Sequence, residues 1–430
     1  MKLLREQTPM EHGSKTAVEV DSVAQRCWSD PVLWLVLLAV TISSAVAVFL
    51  PVTFPVFKQA FGASLQALGS TQGLFYFSAV GFAFCGGWLL ERIGYRFALI
   101  STLLLTAGAL VLIGAAPNIT AVLVGAFFSG LGVLSLVVVT SSIISDRFRA
   151  RRQHLLFIHG LCSAIGSAAG PALLGWWLSN STASGERWRT AYYCTAVILG
   201  AIAIWPVVFF TGSLSGGRSQ HGTAHSPLRQ VLRDPAIYLI CTMSVLKSIP
   251  EGGMIAFVSW FNQRKFGLST RDAALFLSAN SVGIFSGRSV LVWITSRWRL
   301  PDLTIFSACM AGATLAFWGT VVAPSYLFAL LSFGFSGLFF SGSGPGLTSY
   351  TGMRFAAHVL TAFGLLAGIS YVGGAGGSYL IGYFGNHSGL ETAMWIVPLS
   401  SLLVTAVGVA WMLRSEKSSA PTSSGDNIPA

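Results

Sequence analysis

Twelve long apolar runs constrain this chain more than any other feature. They lie at roughly 33–56, 70–90, 97–116, 120–145, 154–178, 190–212, 236–260, 272–294, 303–322, 325–348, 356–383 and 391–413. A helix needs about 20 apolar residues to cross the hydrocarbon of a bilayer, and each run is of that order. Charged residues make up only 10% of the sequence and hydrophobic ones 53%, against roughly 25% charged in a soluble domain. The bulk of the chain therefore belongs in lipid, and the reading is an all-α integral membrane protein with twelve transmembrane helices. Tryptophans near run ends, such as Trp34, Trp88, Trp176, Trp260 and Trp411, fit the headgroup region, where amphipathic rings collect.

The net charge of +11 raises nucleic acid as a partner, but the positive residues are scattered over short loops, which is a topology signal. With the first residues inside, eighteen Lys and Arg fall on the inner side, six on the outer side, and Lys247 and Arg288 within runs. This bias places both termini in the cytoplasm of a cytoplasmic (inner) membrane. The six cysteines form no C-x-x-C pair, so neither a metal site nor a disulfide frame is expected. The polar, Gly/Ser-rich stretch 213–234 divides the runs six and six, as a linker does. A shift of 205 residues lays Trp88 on Trp293 and Arg92 on Arg297. The expected organisation is a tail (1–31), a six-helix bundle (32–212), the linker (213–234), a second bundle (235–413) and a tail (414–430).

Between the second and third runs the chain turns through Gly87-Trp88-Leu89-Leu90-Glu91-Arg92-Ile93-Gly94-Tyr95-Arg96. Gly94 can take the positive φ of a sharp reversal. Glu91 carries a charge that lipid does not accept unpaired. This G-x-L-x-[DE]-R-x-G-x-R pattern resembles the loop between the second and third spans of the major facilitator superfamily. The resemblance implies the major facilitator fold, two six-helix bundles with the substrate bound between them. It also implies that Glu91, Arg92, Gly94 and Arg96 gate the inner side together with Asp146 and Arg147 of the next inner loop, whose arginines latch Glu91. Simple charge sorting accounts for those arginines as well. Gly166-x-x-x-Gly170-Pro171 resembles the fifth-span motif of the same superfamily, where Gly170 and Pro171 would act in gating or close packing.

Span 7 concentrates the ionisable groups. Lys247 lies about 16 Å along it at 1.5 Å per residue, near mid-depth, and Glu251 stands one turn further, where opposite charges pair on one helix face. Each charge in hydrocarbon costs at least about 2.5 kcal/mol, so the two either line a wet cavity or neutralise each other as a structural pair. Pro250, Gly252 and Gly253 are expected to break the helix there. Glu251 is the candidate proton-responsive carboxylate, and Lys247 its partner or an anchor for a substrate anion. Asn280, Gln72, Tyr76 and Tyr371 are candidate polar liners of the cavity, and Trp260 a candidate platform for a ring-shaped substrate.

Glu251-Gly252-Gly253, Phe266-Gly267-Leu268-Ser269, Gly287-Arg288 and Gly342-Ser343-Gly344-Pro345-Gly346 resemble the fucose–proton symporter branch, in which Arg288 would belong to the gate. Acids of that branch's first and fourth spans have no counterpart here, so a sugar substrate is doubtful. The glycine-rich stretches lack the Lys-Ser/Thr of a phosphate loop, and no cofactor is implied. The expectation is a monomeric, non-enzymatic secondary transporter taking up a small polar solute or organic anion with protons. Proton-antiport efflux is the alternative, and a non-cycling receptor the alternative from another class.

Overall fold

A computed structural model describes residues 28–179, 186–209, 228–298 and 300–419, all of them helix or short connection. Twelve rods result. Span 1 comprises Pro31–Val46 and Phe49–Phe61, span 2 Leu65–Phe77 and Ala79–Ile93, span 3 Tyr95–Gly114, span 4 Ile119–Arg147, span 5 Arg152–Ser179 and span 6 Arg187–Phe209. A short helix, Leu228–Arg233, precedes span 7 (Pro235–Phe266) and span 8 (Thr270–Arg297). Span 9 is Asp302–Val322, span 10 Tyr326–Phe340 plus Ser343–Arg354, span 11 Val359–Ser388, and span 12 Leu390–Ala393 plus Ile396–Ser419. Most of the expected tails, and the linker from 213 to 227, lie outside the described residues.

Polar residues set the starts of the rods. Asp30, Ser64, Asn118, Asp234, Ser269 and Ser325 each accept a hydrogen bond from a backbone N–H in the first turn, as N-caps do. Gly62, Gly94, Gly267 and Gly389 carry the positive φ angles at reversals. Gly94, at φ 76°, is the expected turn between spans 2 and 3. Three of the interruptions within rods share one cause. A proline clashes with the carbonyl four residues before it, and the breaks at Ala47, Ser341 and Met394 stand four residues before Pro51, Pro345 and Pro398.

Span 7 corrects an expectation. It is one unbroken helix from Pro235 to Phe266 despite Pro250, Gly252 and Gly253. The glycines serve contact instead. A Cβ on Gly252 would lie 2.2 Å from the Gly374 carbonyl oxygen, and one on span 11's Gly377 would lie 2.1 Å from that of Ile249. Small residues let membrane helices touch backbone to backbone, and here spans 7 and 11 do so over two turns.

Ten of the rods are apolar enough by length and composition to cross a membrane. The described parts of spans 2 and 7 are not among these ten, and both spans pack on span 11. The chain enters span 1 and leaves span 12 on one side, called here the near side. On the far side the halves are pressed together. A Cβ on Gly69 of span 2 would sit 2.5 Å from the Ser378 oxygen of span 11, and one on Gly175 of span 5 would sit 2.6 Å from the Ala274 Cβ of span 8. Phe54 and Phe257 pack across spans 1 and 7 at 5.6 Å. Toward the near side spans 5 and 8 meet through a long side chain. At Gly160 the only neighbour that a Cβ would approach within 4 Å is the end of Arg288, at 3.6 Å.

Candidate functional site

The groups that meet between the halves come from spans 2, 7, 8 and 11. Lys247 Nζ lies 3.1 Å from Glu251 Oε2 one turn away, as the spacing predicts. The two ends differ in wetness: the Lys247 side chain is 11% exposed and that of Glu251 38%. Phe340 of span 10 faces Lys247 Nζ at 4.6 Å, a cation–π contact that offsets part of the cost of burying an ammonium. Glu251 also acts electrostatically on Tyr76 of span 2, Tyr371 of span 11 and Arg288 of span 8. Its field therefore reaches both halves.

Gln72, one turn before Tyr76, is fully buried; its amide lies close enough to the Tyr76 hydroxyl to act on it but makes no hydrogen bond of good geometry. An unmet buried polar group costs about 1–3 kcal/mol, so this amide marks a polar spot in the wall. Below it, toward the near side, a crevice of about 690 Å³ opens between span 2, span 4 and span 11. Phe82, Phe84, Phe363 and Tyr371 line it, with Leu228 of the short helix at its edge. Its lining makes it apolar and aromatic.

Two expected liners face elsewhere. Asn280 donates to the Phe333 carbonyl oxygen at 3.3 Å and to Ser336 Oγ at 3.2 Å, which ties span 8 to span 10 inside one half. Trp260 is buried on the far side, where Lys58 Nζ sits 5.2 Å from its ring centroid. The ring holds spans 1 and 7 together across the halves instead of facing the crevice.

At the near side the polar residues staple each half. Asp30 Oδ2 accepts from Arg147 Nε at 2.8 Å, joining span 1 to span 4. Asp234 Oδ2 accepts from Arg354 Nε at 3.0 Å, joining span 7 to span 10. Asp146 accepts the Tyr95 hydroxyl, and Arg96 donates to the Val207 carbonyl oxygen. Arg147 is thus engaged by Asp30; the Glu91 side chain lies outside the described residues. Arg92 closes the last turn of span 2. In span 5, a Cβ on Gly166 or Gly170 would run into Thr41 or Ala45 of span 1, and Pro171 is buried beside them. These glycines fit span 5 against span 1 within one half.

Arg288 is the group whose setting differs most from its expectation at a gate. It lies deep among protein atoms yet its side chain is solvent-accessible, the mark of a cavity wall. It makes no hydrogen bond or ion pair with a described residue. Among the described residues, no cluster of His, Cys, Asp or Glu could hold a metal ion.

Comparison with known proteins places this geometry. The Major Facilitator Superfamily matches residues 32–325. This chain belongs to that superfamily. The cyanate transport protein CynX of Escherichia coli (strain K12) is 24% identical over 236 residues, 54% of this chain and 58% of that one. The chain thus spans under two thirds of that relative's length. A bacterial homologue of the human lysosomal transporter Spinster, in an inward-facing and occupied conformation, superimposes with a TM-score of 0.72 at 15% identity. That match covers 90% of this chain and 98% of the other. The E. coli fucose:proton symporter gives 0.61 at 19% identity over 88% and 98%. The two-bundle major facilitator fold of a multi-pass membrane protein is thereby established.

Proposed function

We propose that the protein is a proton-coupled secondary transporter that takes up a small polar solute or organic anion as a monomer. It works in a cytoplasmic membrane with the near side and both termini in the cytoplasm. The observation that carries this reading is the Lys247–Glu251 pair. It is an opposed charge pair in the interior, it lies about mid-depth in span 7, and Glu251's field reaches residues of both halves. Glu251 is partly wet, so a proton can reach it. Protonation removes the charge that holds Lys247, frees the ammonium, and changes what the halves present to each other.

The contacts fit an inward-open state of alternating access: far-side glycines meet backbone to backbone, while on the near side Gly160 of span 5 has only the end of Arg288 within reach among the described residues. Rocking would part the far-side contacts. The near-side staples stay within their halves, so each half can move as a body. The domain boundaries proposed from the sequence, 32–212 and 235–413, fit these staples. CynX transports cyanate by its name, and a small anion fits the cationic excess of the site.

Proteoliposomes test the coupling. Uptake of a panel of solutes, cyanate included, should rise several-fold when the outside is made acid. Glu251→Gln should abolish that rise while exchange without a gradient persists. Uptake indifferent to the gradient in the wild type rules out the proton reading.

A further inference from the structure

Span 12 ends in a stripe that is apolar along its length and cationic at its tip. Val407, Ala410, Trp411 and Arg414 stand at i, i+3, i+4 and i+7, which puts them on one face of the helix. Arg414 comes last, toward the near side, and its guanidinium cannot shed its charge in a protein. Leu239, one turn into span 7, faces the same stripe, and these residues together line a groove of about 480 Å³. Val407, Trp411 and Leu239 are half-buried, whereas Ala410 and Arg414 are exposed. Tyr238 and Leu413, next in sequence to Leu239 and Arg414, are exposed as well. The groove therefore opens along the outside of the second half, between the near ends of spans 7 and 12.

Depth sets the order of the stripe. Trp411 packs edge-on against Tyr350 of span 10, with ring centroids 4.9 Å apart. Spans 10 and 12 both run toward the near side. Arg354 stands one turn beyond Tyr350 and Arg414 three residues beyond Trp411, so both arginines lie about 5 Å nearer that side than the ring pair. Aromatic rings with basic residues just beyond them are the composition of a headgroup boundary. The acids nearby are engaged or face elsewhere. Asp234 of span 7 accepts from Arg354 at 3.0 Å. Asp302 opens span 9, which meets span 12 where the Thr304 hydroxyl lies 3.4 Å from Met412 Sδ. Met412 and Arg414 are two residues apart, roughly 200° round the helix, so Arg414 faces away from span 9. It forms no ion pair with a described side chain.

We propose that this groove is a binding site for an anionic phospholipid. One acyl chain lies along Leu239, Val407, Ala410 and Trp411. The lipid phosphate meets the Arg414 guanidinium, whose planar fork of donors matches phosphate oxygens two to two. The bilayer decides what fills the apolar part, since hydrocarbon and not water borders a membrane helix there. The cation decides the headgroup, since a basic group beside a cleft between spans favours anionic lipid. Seated in this way, the lipid bridges spans 7 and 12 next to the Asp234–Arg354 staple. The assignment requires only a chain that spans a bilayer, and it holds whatever solute or ion the transporter moves.

The test uses the purified full-length protein in phosphatidylcholine nanodiscs. Each disc preparation holds a trace of phosphatidylglycerol or of phosphatidylcholine with a photoactivatable diazirine in one acyl chain. After illumination, peptide mass spectrometry measures labelling of residues 236–242 and 405–414. In the wild type the phosphatidylglycerol probe should label them about fivefold more than the phosphatidylcholine probe, the preference that one basic residue gives near an anionic headgroup. Arg414→Gln should erase that preference, and Arg414→Lys should keep most of it. Ala410→Trp, which fills the groove and leaves the cation, should cut labelling by both probes. Labelling around Leu104, exposed on span 3, reports bulk lipid and should be the same for both probes and all variants, which shows that each variant is folded in its disc. Equal labelling by the two probes in the wild type overturns the assignment. A phosphatidylglycerol preference that survives in Arg414→Gln overturns it too, as does labelling undiminished in Ala410→Trp.

Discussion

The two halves share a scaffold and divide the chemistry unequally. Each begins with an Asp-Pro step, Asp30-Pro31 and Asp234-Pro235, whose aspartate caps the first helix and reaches an arginine at the end of the fourth rod of its half. Each follows that arginine with a phenylalanine and one turn of 3₁₀ helix, Arg149–Arg151 and Ala356–His358. The repeat at 204 to 207 residues runs through the same part of the chain as the 205-residue shift of Trp88 and Arg92. Interior charge shows no such symmetry. Lys247, Glu251 and Arg288 all belong to the second half, and the first half faces them with Gln72, Tyr76 and bare glycine backbone. A framework repeated in both halves keeps two bodies rigid, while charges confined to one body let the other slide past without breaking an ion pair.

The largest effects should come from the charged wall. Removing one partner of a buried ion pair costs about 3–5 kcal/mol. Here the partners are unequally wet, so the cost depends on which one goes. Glu251→Gln leaves Lys247 unpaired at 11% exposure, whereas Lys247→Gln leaves Glu251 at 38%. We expect Glu251→Gln to destabilise by about 2 kcal/mol and Lys247→Gln by roughly half of that, scaled down from the fully buried case for solvent screening. Thermal unfolding of the two variants in the same micelle measures the difference. Equal losses would mean that the pair is no more buried at one end than at the other, and would remove the asymmetry.

Smaller effects should follow from the glycine contacts, and here the halves should respond alike. A Cβ on Gly252 would stand 2.2 Å from the Gly374 oxygen, and one on Gly130 of span 4 would stand 2.0 Å from the Phe75 oxygen. Backbone cannot step aside as a flexible side chain can, and overpacking a close contact costs about 1–3 kcal/mol. Gly252→Ala and Gly130→Ala should each destabilise within that range. Only Gly252→Ala should also slow transport, because its partner span 11 forms the interface with span 2, while Gly130 packs inside one half. A transport defect of equal size in Gly130→Ala would argue that span 4 takes part in the rocking.

What the sequence disclosed follows the physics of the bilayer. Twelve rods were legible because each needs a long apolar run. Lys247 and Glu251 were legible because charge in such a run is rare. Helix rotation was not: lipid and protein core are both apolar, so nothing in the residues around Asn280 said that its amide would turn to span 10. Span 7's continuity was hidden because Pro250 and two glycines carry a breaker's signature, and only the neighbouring glycines of span 11 convert that signature into a packing seam. The staples carry a signal of their own in the sequence, an Asp-Pro step recurring 204 residues apart before an apolar run.

The smallest effect should come from those staples, and it carries a pH signature. The Asp234 side chain is 25% exposed and its Arg354 partner 53%, and exposed pairs contribute about 0.2–1 kcal/mol. Partial burial alone would raise the Asp234 carboxyl, but the Ala236 N–H, the Arg354 hydrogen bond and the guanidinium charge together hold it below its ordinary 3.8. A carboxyl so lowered adds stability above its unfolded value and loses it as pH falls through the folded one. Stability of the wild type should therefore drop as pH is taken below about 4, and part of that drop should vanish in Asp234→Asn. Asparagine still caps a helix, so the variant isolates the ion pair from the cap. Asp30→Asn should cost a similar fraction of a kcal/mol at neutral pH, since Asp30–Arg147 has the same geometry at 2.8 Å. If Asp234→Asn proves harmless at pH 7 while Asp30→Asn does not, the two staples are alike in form only, and the second half is held together by its contact with span 11 rather than by its own near-side pair.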